Sequence, residues 1–451
     1  MRLVHLSRYL FCALFGLLFF VATAVAQVNE IEPNNSPETA QIITLGTEYV
    51  GKISSGTPAD TGDYFRFSLT SPGNITLRLK PQTAGGSSAS SWNIRLFDYA
   101  TGNELLGFYV DRLDPVGGTT SVGLAAGNYY VRIENNSGVV DVPYLLLVTL
   151  ATGNYFEQEF NDSPAAAQPI SLGVEYLGRL QKRISSSVAE FDYYKFSLTT
   201  ASSIALHLRP QTAGGSSAST WRVRLRDYAT NNALIDFNVG RFDPVGGTKT
   251  ASLAAGNYYV SIENGSGVID LPYIVSATPT GFVAPSVPMV EFLHTALNYY
   301  FITASPTDIA VLDTVPAFVR TGESFPVYAA PYAGTHGITR FYFDRIAVNQ
   351  SRGSHFYTSV DSEVAAVAAL NPSNMPAPRL PVNEGVNSYA FLPVTAGVCA
   401  AGQRPVYRIF RGNARFPDDP NHRFTTSLTI YNNFVALGWD GEGVKFCVPA
   451  L

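Results

Sequence analysis

The sequence predicts a mainly β protein built from two similar β-sandwiches and a different β-rich C-terminal domain. Its 451 residues include 28 Phe, 25 Tyr, 38 Gly and 28 Pro, and only 14% are charged. This composition favours strands and turns over helices. A duplication fills the first part of the chain and a threefold pattern fills the rest. We therefore expect sandwich modules at residues 28–150 and 155–280 and a third domain at 285–451.

The N-terminus predicts a cleaved export signal at residues 1–26. Arg2 and Arg8 precede an uncharged apolar run, and small residues end at Ala26, where cleavage is expected. The alternative is a retained N-terminal anchor, although the run is short for a bilayer. No later stretch is apolar enough to span a membrane. We therefore expect a protein that is secreted or held in the cell envelope.

Net charge and cysteine content indicate which classes of partner to exclude and which disulfide to expect. Cleavage would remove two arginines and no acid, and would lower the formal net charge from −5 to −7. An acidic chain argues against nucleic acid and anionic lipid as partners. Cys12 leaves with the signal, and Cys399 and Cys447 are expected to form a disulfide in an oxidising compartment. The alternative is that both remain as free buried thiols. A zinc site is disfavoured because no histidines neighbour the two cysteines.

The first two-thirds of the chain contain an internal duplication. The segments PQTAGGSSAS, DPVGGT and AAGNYYV begin at residues 81, 114 and 125, and each recurs 129 residues later. The opening motif recurs after only 127 residues, so the second copy carries two extra residues between 184 and 190. A surface loop tolerates such an insertion.

Each copy alternates apolar and polar residues with the period of a half-buried strand. The predicted strands of the first copy are Asp63–Leu69, Ile75–Leu79, Asn93–Phe97, Tyr129–Glu134 and Pro143–Thr149. Turns rich in Gly, Asn and Asp separate them, which indicates a sandwich. The one helix signal is Ser36-Pro37, a cap followed by proline.

Three ordered motifs in each copy resemble the bacterial pre-peptidase C-terminal domain, a relative of the collagen-binding modules of clostridial collagenases. The motifs are Glu30–Asn35, Asp63–Phe65 and Ala126–Val131, with counterparts at Glu157–Asp162, Asp192–Tyr194 and Ala255–Val260. The resemblance covers residues 28–150 and 155–280. It implies a jelly-roll-like β-sandwich of the kind usually appended to secreted peptidases.

The start of each copy is the candidate metal site. Acids two apart on an extended segment project to one side, and oxygen-only ligands from flexible segments suit calcium. The candidate ligands are Glu30, Glu32, Asn34, Asn35, Asp60 and Asp63 in the first copy, and Glu157, Glu159, Asn161, Asp162, Glu190 and Asp192 in the second. Similar residues hold calcium in the collagen-binding relatives. Asn35 in place of an Asp, and the shifted match of Asp60 to Glu190, are departures. The alternative is a polar linker with solvated charges.

Residues 285–451 show a weaker threefold pattern. Each unit has an aromatic strand, then a second strand, then a short helix, then a closing strand with Gly before an aromatic residue. The second strands begin at Tyr300, His355 and His422, the helices after Ser305, Ser359 and Ser427, and the closing pairs are Gly322/Phe325, Gly385/Tyr389 and Gly443/Phe446. The pattern resembles a secreted bacterial repeat domain of unknown function marked by HFYT and EGV elements. It implies pseudo-threefold packing around an aromatic core, such as a trefoil-like arrangement.

Two other features have a functional and a structural interpretation. The PQTAGGSSAS segment precedes Trp92 and Trp221 and is either a recognition loop or a turn before a core residue; we favour the turn. His355 and His422 are either metal ligands or packed rings, and we favour packing because Tyr300 takes the same place. Exposed rings of this domain could instead stack on sugars.

Catalytic motifs are missing from the sequence: it has no HExxH, GxSxG or P-loop pattern. We therefore expect a non-catalytic binding or adhesion protein whose partner is an extracellular matrix protein or a polysaccharide. The alternatives are a hydrolase with an unrecognised catalytic C-terminal domain, and a structural envelope protein. A deep cavity with converging carboxylates or a Ser/His pair in residues 285–451 would favour the hydrolase, and a shallow aromatic face would favour binding.

Overall fold

The computed structural model describes residues 27–55, 60–86, 90–153, 155–184, 190–214, 218–343, 353–369, 381–416 and 419–450. The predicted export signal lies outside these residues. Within them the chain is mainly β, with sandwich-like sheets and three short helices, so the predicted fold class is confirmed. No helix in this part of the chain has the length and apolar character needed to cross a membrane.

The first sandwich consists of two five-stranded sheets, with strand orders β1-β3-β10-β5-β8 and β2-β4-β9-β6-β7. Its strands are β1 Val28–Asn29, β2 Gln41–Ile42, β3 Glu48–Gly51, β4 Asp63–Leu69, β5 Gly73–Pro81, β6 Ser91–Asp98, β7 Glu104–Asp111, β8 Gly118–Leu124, β9 Gly127–Ser137 and β10 Tyr144–Thr152. Alternate side chains point between the sheets, and Ile75, Leu77 and Leu79 on β5 are fully buried.

The second sandwich has the same strand order, β11-β13-β18-β15-β16 against β12-β19-β14-β17. Its strands are β11 Gln168–Pro169, β12 Tyr176–Arg179, β13 Phe191–Leu198, β14 Ser202–Pro210, β15 Thr220–Asp227, β16 Ala233–Gly240, β17 Gly247–Leu253, β18 Gly256–Ser266 and β19 Pro272–Pro279. The counterpart of β1 is reduced to an isolated bridge between Phe156 and Leu177.

Trp92 and Trp221 lie in the cores of the two sandwiches, and neither is exposed to solvent. The core interpretation of these residues is therefore correct. Residues 87–89 and 215–217 of the preceding loops are not among those described. At Ser36 the structure has a hydrogen-bonded turn rather than a helix, because Thr39 N donates to Ser36 O at 3.2 Å and no helical bonds follow.

The remaining strands form one nine-stranded sheet, in which the order strand, strand, helix, strand occurs three times. The three units are β20 Ser286–His294, β21 Tyr299–Thr303, α1 Pro306–Leu312 and β22 Phe318–Tyr328; β23 Thr335–Phe343, β24 Ser354–Thr358, α2 Asp361–Ala368 and β25 Val382–Phe391; β26 Gln403–Arg411, β27 Asn421–Thr425, α3 Leu428–Ala436 and β28 Asp440–Pro449. Their buried residues meet in one core that contains Phe325, Tyr357, Phe424 and Phe446.

The local sequence explains the ends of these elements. Ser305 and Ser427 accept hydrogen bonds from backbone N–H groups three residues on and thereby cap α1 and α3. The start predicted after Ser359 is wrong by one residue, because Val360 is the cap residue of α2 and offers no side-chain acceptor. The closing strands each contain a glycine in the left-handed region, with φ of 89°, 87° and 75° at Gly322, Gly385 and Gly443.

Successive units contact one another through equivalent positions. In two of the contacts a guanidinium lies over a ring: Arg340 over Phe301 at 5.4 Å and Arg408 over Phe356 at 4.7 Å. The third contact is reversed, because Arg423 occupies the phenylalanine position and Glu291 the arginine position. These two side chains form a buried ion pair.

Candidate functional site

The first acidic cluster consists of Glu30, Glu32 and Asp63, whose carboxylate oxygens lie within 4.8 Å of one another. Glu30 follows β1, where its backbone N–H donates to Val50 O at 2.8 Å. Asp63 is the first residue of β4 and is fully buried. Pairing of β1 with β3 and burial of the start of β4 therefore bring together acids that are about 30 residues apart in the sequence.

Hydrogen bonds fix the orientation of each carboxylate. Lys52 N donates to Glu30 Oε1 at 2.6 Å, and Asn34 N donates to Glu32 Oε2 at 2.9 Å. The Tyr144 hydroxyl donates to Asp63 Oδ2. Sequence reasoning missed Tyr144, which lies 81 residues away, although its counterpart Tyr273 binds Asp192 in the same way.

Asp60 lies beside the cluster rather than in it. Its two oxygens accept from Ser54 N and Gly62 N, both at 2.9 Å. Its charge nevertheless contributes to the pKa of Asp63. Asp60 therefore shapes the loop and adds negative charge to the cluster.

Burial of like charges makes the ionised cluster unfavourable without a cation. Burial, together with the charge of the nearby Glu30, raises the pKa of Asp63 to about 9. Burial also raises the pKa of Glu30 to about 7. Among the described residues no basic side chain forms an ion pair with Glu30, Glu32 or Asp63. Binding of a proton or a cation would therefore relieve the repulsion within the cluster.

The donor set fits calcium. Asp63 Oδ1, Asn34 Oδ1 and Asn35 Oδ1 are buried and have no hydrogen-bond partner within the described part of the chain. Unpartnered buried oxygens are costly unless an ion or ordered water satisfies them. Calcium takes six to eight oxygen ligands at about 2.3–2.6 Å, so ligand oxygens on one ion lie up to about 5 Å apart.

The second acidic cluster is larger and more deeply buried. Its members form two groups that share Glu159: Glu157, Glu159 and Asp192, and Glu159, Asp162 and Glu190, each with oxygens within 4.8 Å. Burial raises the pKa of Glu157 well above its usual value, that of Glu159 to about 8 and that of Asp192 to about 7. Asn161 donates to Glu157 Oε1 at 2.9 Å and its own Oδ1 lacks a partner among the described residues.

Arg183 distinguishes this cluster from the first. Its guanidinium lies 2.8 Å from Asp162, 3.3 Å from Glu190 and 3.4 Å from Glu159. Arg183 lies just before the two extra residues, and the first copy has no arginine at the matching position. The first copy has neutral Asn35 where the second has Asp162. One positive charge in the second copy already compensates part of the acid.

The C-terminal domain contains a cavity of about 380 Å³. Two carboxylates, from Asp308 and Glu384, reach it together with Ser354 and His355. Ser354 and His355 are consecutive on β24, where successive side chains point to opposite faces, so they do not form a nucleophile–base pair. Partial burial alone would raise the pKa of both carboxyls. Contacts with Arg340, and for Glu384 also with His355, outweigh this effect, so both pKa values are lowered. Neither group is a proton donor at neutral pH.

The two histidines are packed rings. His422 stacks on Phe410 at 4.6 Å, and burial lowers its pKa to about 3. His355 lies 4.8 Å from the Phe301 ring and its Nε2 is 3.3 Å from Glu384. No group of metal-ligating side chains found in the described residues includes a histidine.

Cys399 and Cys447 form the predicted disulfide, with their Cα atoms 5.7 Å apart. The bond joins the segment before β26 to β28, so it connects the two ends of the third unit. The prediction of this bond from cysteine count is confirmed.

Comparison with known proteins places a family match at the C-terminus. Residues 382–449 match the family described as "Domain of unknown function (DUF5648)". This range begins on β25 and includes the whole third unit. The matched range contains both EGV elements, at residues 384–386 and 442–444, whereas the HFYT element at residues 355–358 lies outside it. Comparison with curated proteins gives no match.

Among solved structures, the chain is similar to the pre-peptidase C-terminal domain of a collagenase from Bacillus anthracis, at 22% identity over 26% of this chain and 100% of that one, with a TM-score of 0.20. It is also similar to the CBM22-1–CBM22-2 tandem domain of Xyn10C from Paenibacillus barcinonensis, at 10% identity over 48% and 83% of the two chains, with a TM-score of 0.15. Both TM-scores are too low to support a shared activity.

Proposed function

We propose that the chain is an exported, non-catalytic binding protein whose sandwiches are stabilised by calcium and whose partner is an extracellular matrix protein or a polysaccharide. The observation that supports this most directly is the first acidic cluster. Three carboxylates converge there with unpartnered amide and carboxylate oxygens, and no basic side chain of the described residues neutralises them. Calcium bound there would neutralise the acids and fix the start of β4 against the segment after β1.

A non-catalytic role agrees with the chemistry of the C-terminal cavity. Its two carboxylates are ionised and bonded to Arg340, so the pair lacks the protonated member that glycoside hydrolysis requires. Glycan and protein arrays probed with the purified chain would identify the class of ligand.

Calcium binding is testable because each module contains one of the three tryptophans, Trp92, Trp221 and Trp439. When the protein is labelled with 5-fluorotryptophan, each of the three ¹⁹F signals reports the unfolding of one module. Calcium should raise the melting temperature reported by Trp92, since a ligand bound only by the native state adds about 2.7 kcal/mol at 100 times its Kd. Excess magnesium should not reproduce the shift, because magnesium demands tighter octahedral geometry.

The variant Glu32→Gln/Asp63→Asn keeps the shape of the cluster and removes two charges. It should lose the calcium response at Trp92 and, in chelator at pH 8, melt above the unmodified chain because the repulsion is gone. Asp98→Ala/Asp111→Ala removes two turn acids of the same sandwich outside the cluster and should keep the response. Identical Trp92 melting curves in calcium and in chelator would refute the calcium proposal.

A further inference from the structure

The cavity of the C-terminal domain has a distinct chemistry. It is bounded by the β20–β21 hairpin, α1, β23 and β24, and its volume of about 380 Å³ lies within the usual range of ligand pockets. Much of its wall is aromatic: the rings are His294, Tyr299, Tyr300, Phe301, Phe318 and Tyr342. Such rings offer flat apolar faces at low cost in side-chain entropy.

The polar part of the cavity is a three-residue group. Arg340 Nη1 lies 2.6 Å from Asp308 Oδ2, and Arg340 Nε lies 2.8 Å from Glu384 Oε2. His355 also contacts Glu384 through the same Oε2 oxygen. The arginine is thus held by two carboxylates, and the group has a net charge of −1.

A related group in the next contact between units is closed. There Arg408 binds Glu363 and Glu442, and Lys445 also approaches Glu363 at 3.4 Å. The Arg408 side chain is 4% exposed, against 16% for Arg340. Of these two groups, the one around Arg340 is therefore the more accessible to a ligand.

These features select a ligand by charge and shape. An anion finds no surplus positive charge, because two carboxylates already neutralise Arg340. A cation would approach a guanidinium at the centre of the group. A neutral ring with several hydroxyl groups fits both parts: its hydroxyls donate to carboxylate oxygens and its C–H face packs on the aromatic wall.

We propose that this cavity binds a neutral saccharide unit of an extracellular polysaccharide. The inference deepens the binding function proposed above by assigning the site and the ligand class. Val311, 56% exposed on α1, forms part of the cavity rim and is where a polysaccharide chain would leave the cavity.

The test uses the full chain and affinity gel electrophoresis. Native gels contain dextran, xylan, laminarin or starch as neutral probes, and pectin or hyaluronan as acidic ones. At least one neutral polysaccharide should retard the chain. Val311→Arg places a long charged side chain at the rim and should abolish the retardation, while Glu384→Gln should weaken it at least tenfold. Leu437→Arg, at a residue 58% exposed directly after α3 and outside the cavity, is the matched control and should bind normally.

The outcomes separate this inference from the broader function. Retardation by a neutral polysaccharide that Val311→Arg leaves intact would overturn the cavity assignment while the binding function stands. Retardation by acidic polysaccharides alone would overturn the ligand class. No retardation in any gel would overturn the saccharide inference, and protein-array binding would then keep the binding function. An unchanged Trp439 melting temperature confirms that each variant is folded.

Discussion

Removal of one partner of the buried ion pair between Glu291 and Arg423 should strongly lower the stability of the C-terminal domain. The two side chains share hydrogen bonds of 2.9 and 2.8 Å, and the residues are 1% and 7% exposed. The Arg423 guanidinium also lies 4.1 Å from the centre of the Tyr300 ring. Arg423→Met leaves a carboxylate buried without its cation, which costs roughly 3–5 kcal/mol.

Burial decides the size of this effect, so an exposed pair is the control. Arg320 binds Asp313 through two equally short bonds, but the two side chains are 49% and 41% exposed. Arg320→Met should therefore cost far less stability than Arg423→Met, because exposed ion pairs contribute little. Both variants are compared by urea unfolding of the full chain, followed through the ¹⁹F signal of Trp439.

A double variant separates the pair from the packing around it. Glu291→Met/Arg423→Met removes both charges and should recover most of the loss, because apolar replacements of buried pairs are often neutral. The reasoning is refuted if Arg423→Met and Arg320→Met lose equal stability, or if the double variant is as unstable as Arg423→Met alone.

Two further predictions concern pH and the disulfide. In chelator, the Trp92 module should lose stability as pH rises from about 4 towards about 9, because folding raises the pKa of Asp63 from 3.8 to about 9 and that of Glu30 from 4.5 to about 7. The unfolded chain ionises first, so this stability is present below the unfolded-state pKa values and is lost as pH rises through the folded-state values. Glu32→Gln/Asp63→Asn should flatten the dependence of stability on pH. Stability that rises from pH 5 to 8 would contradict the prediction. Cys399→Ala/Cys447→Ala should lower the stability of the Trp439 module by about 4 kcal/mol for the 48-residue separation, with the other two signals unchanged. An unshifted Trp439 transition would disprove that value.

Patterns local in sequence predicted much of the fold. Alternation placed a strand at Asp63–Leu69, which is β4, and the Tyr129–Glu134 run lies within β9. The acids at Glu30, Glu32 and Asp63 could be grouped because two of them are close in sequence and the third begins a strand. The glycines helped to locate the closing strands, because they adopt a backbone conformation that other residues avoid.

Contacts between distant segments could not be predicted in this way. Tyr144 reaches Asp63 only because β10 packs opposite β4 across the sandwich core. Arg183 lies just before an insertion, and nothing in its neighbours indicates that it turns towards Asp162 and Glu190. The exchange of roles at Glu291 and Arg423 becomes visible only when the third unit meets the first in space. Each of these residues bonds to a charged group that is distant in sequence, and such bonds leave no periodic signal.

The segment that carries Glu157 and Glu159 also joins the two sandwiches. Glu159 N donates to Gly123 O at 3.1 Å, and Gly107 N donates to the O atom of Lys182, after β12, at 2.8 Å, so two separate segments of the second copy are bonded to the first sandwich. A side chain at Gly123 would collide with the carbonyl oxygen of Glu157. A buried acidic cluster that Arg183 compensates only in part thus lies at the junction of the two sandwiches. Calcium bound there, as proposed above, would set how stiffly the two sandwiches transmit a pulling force.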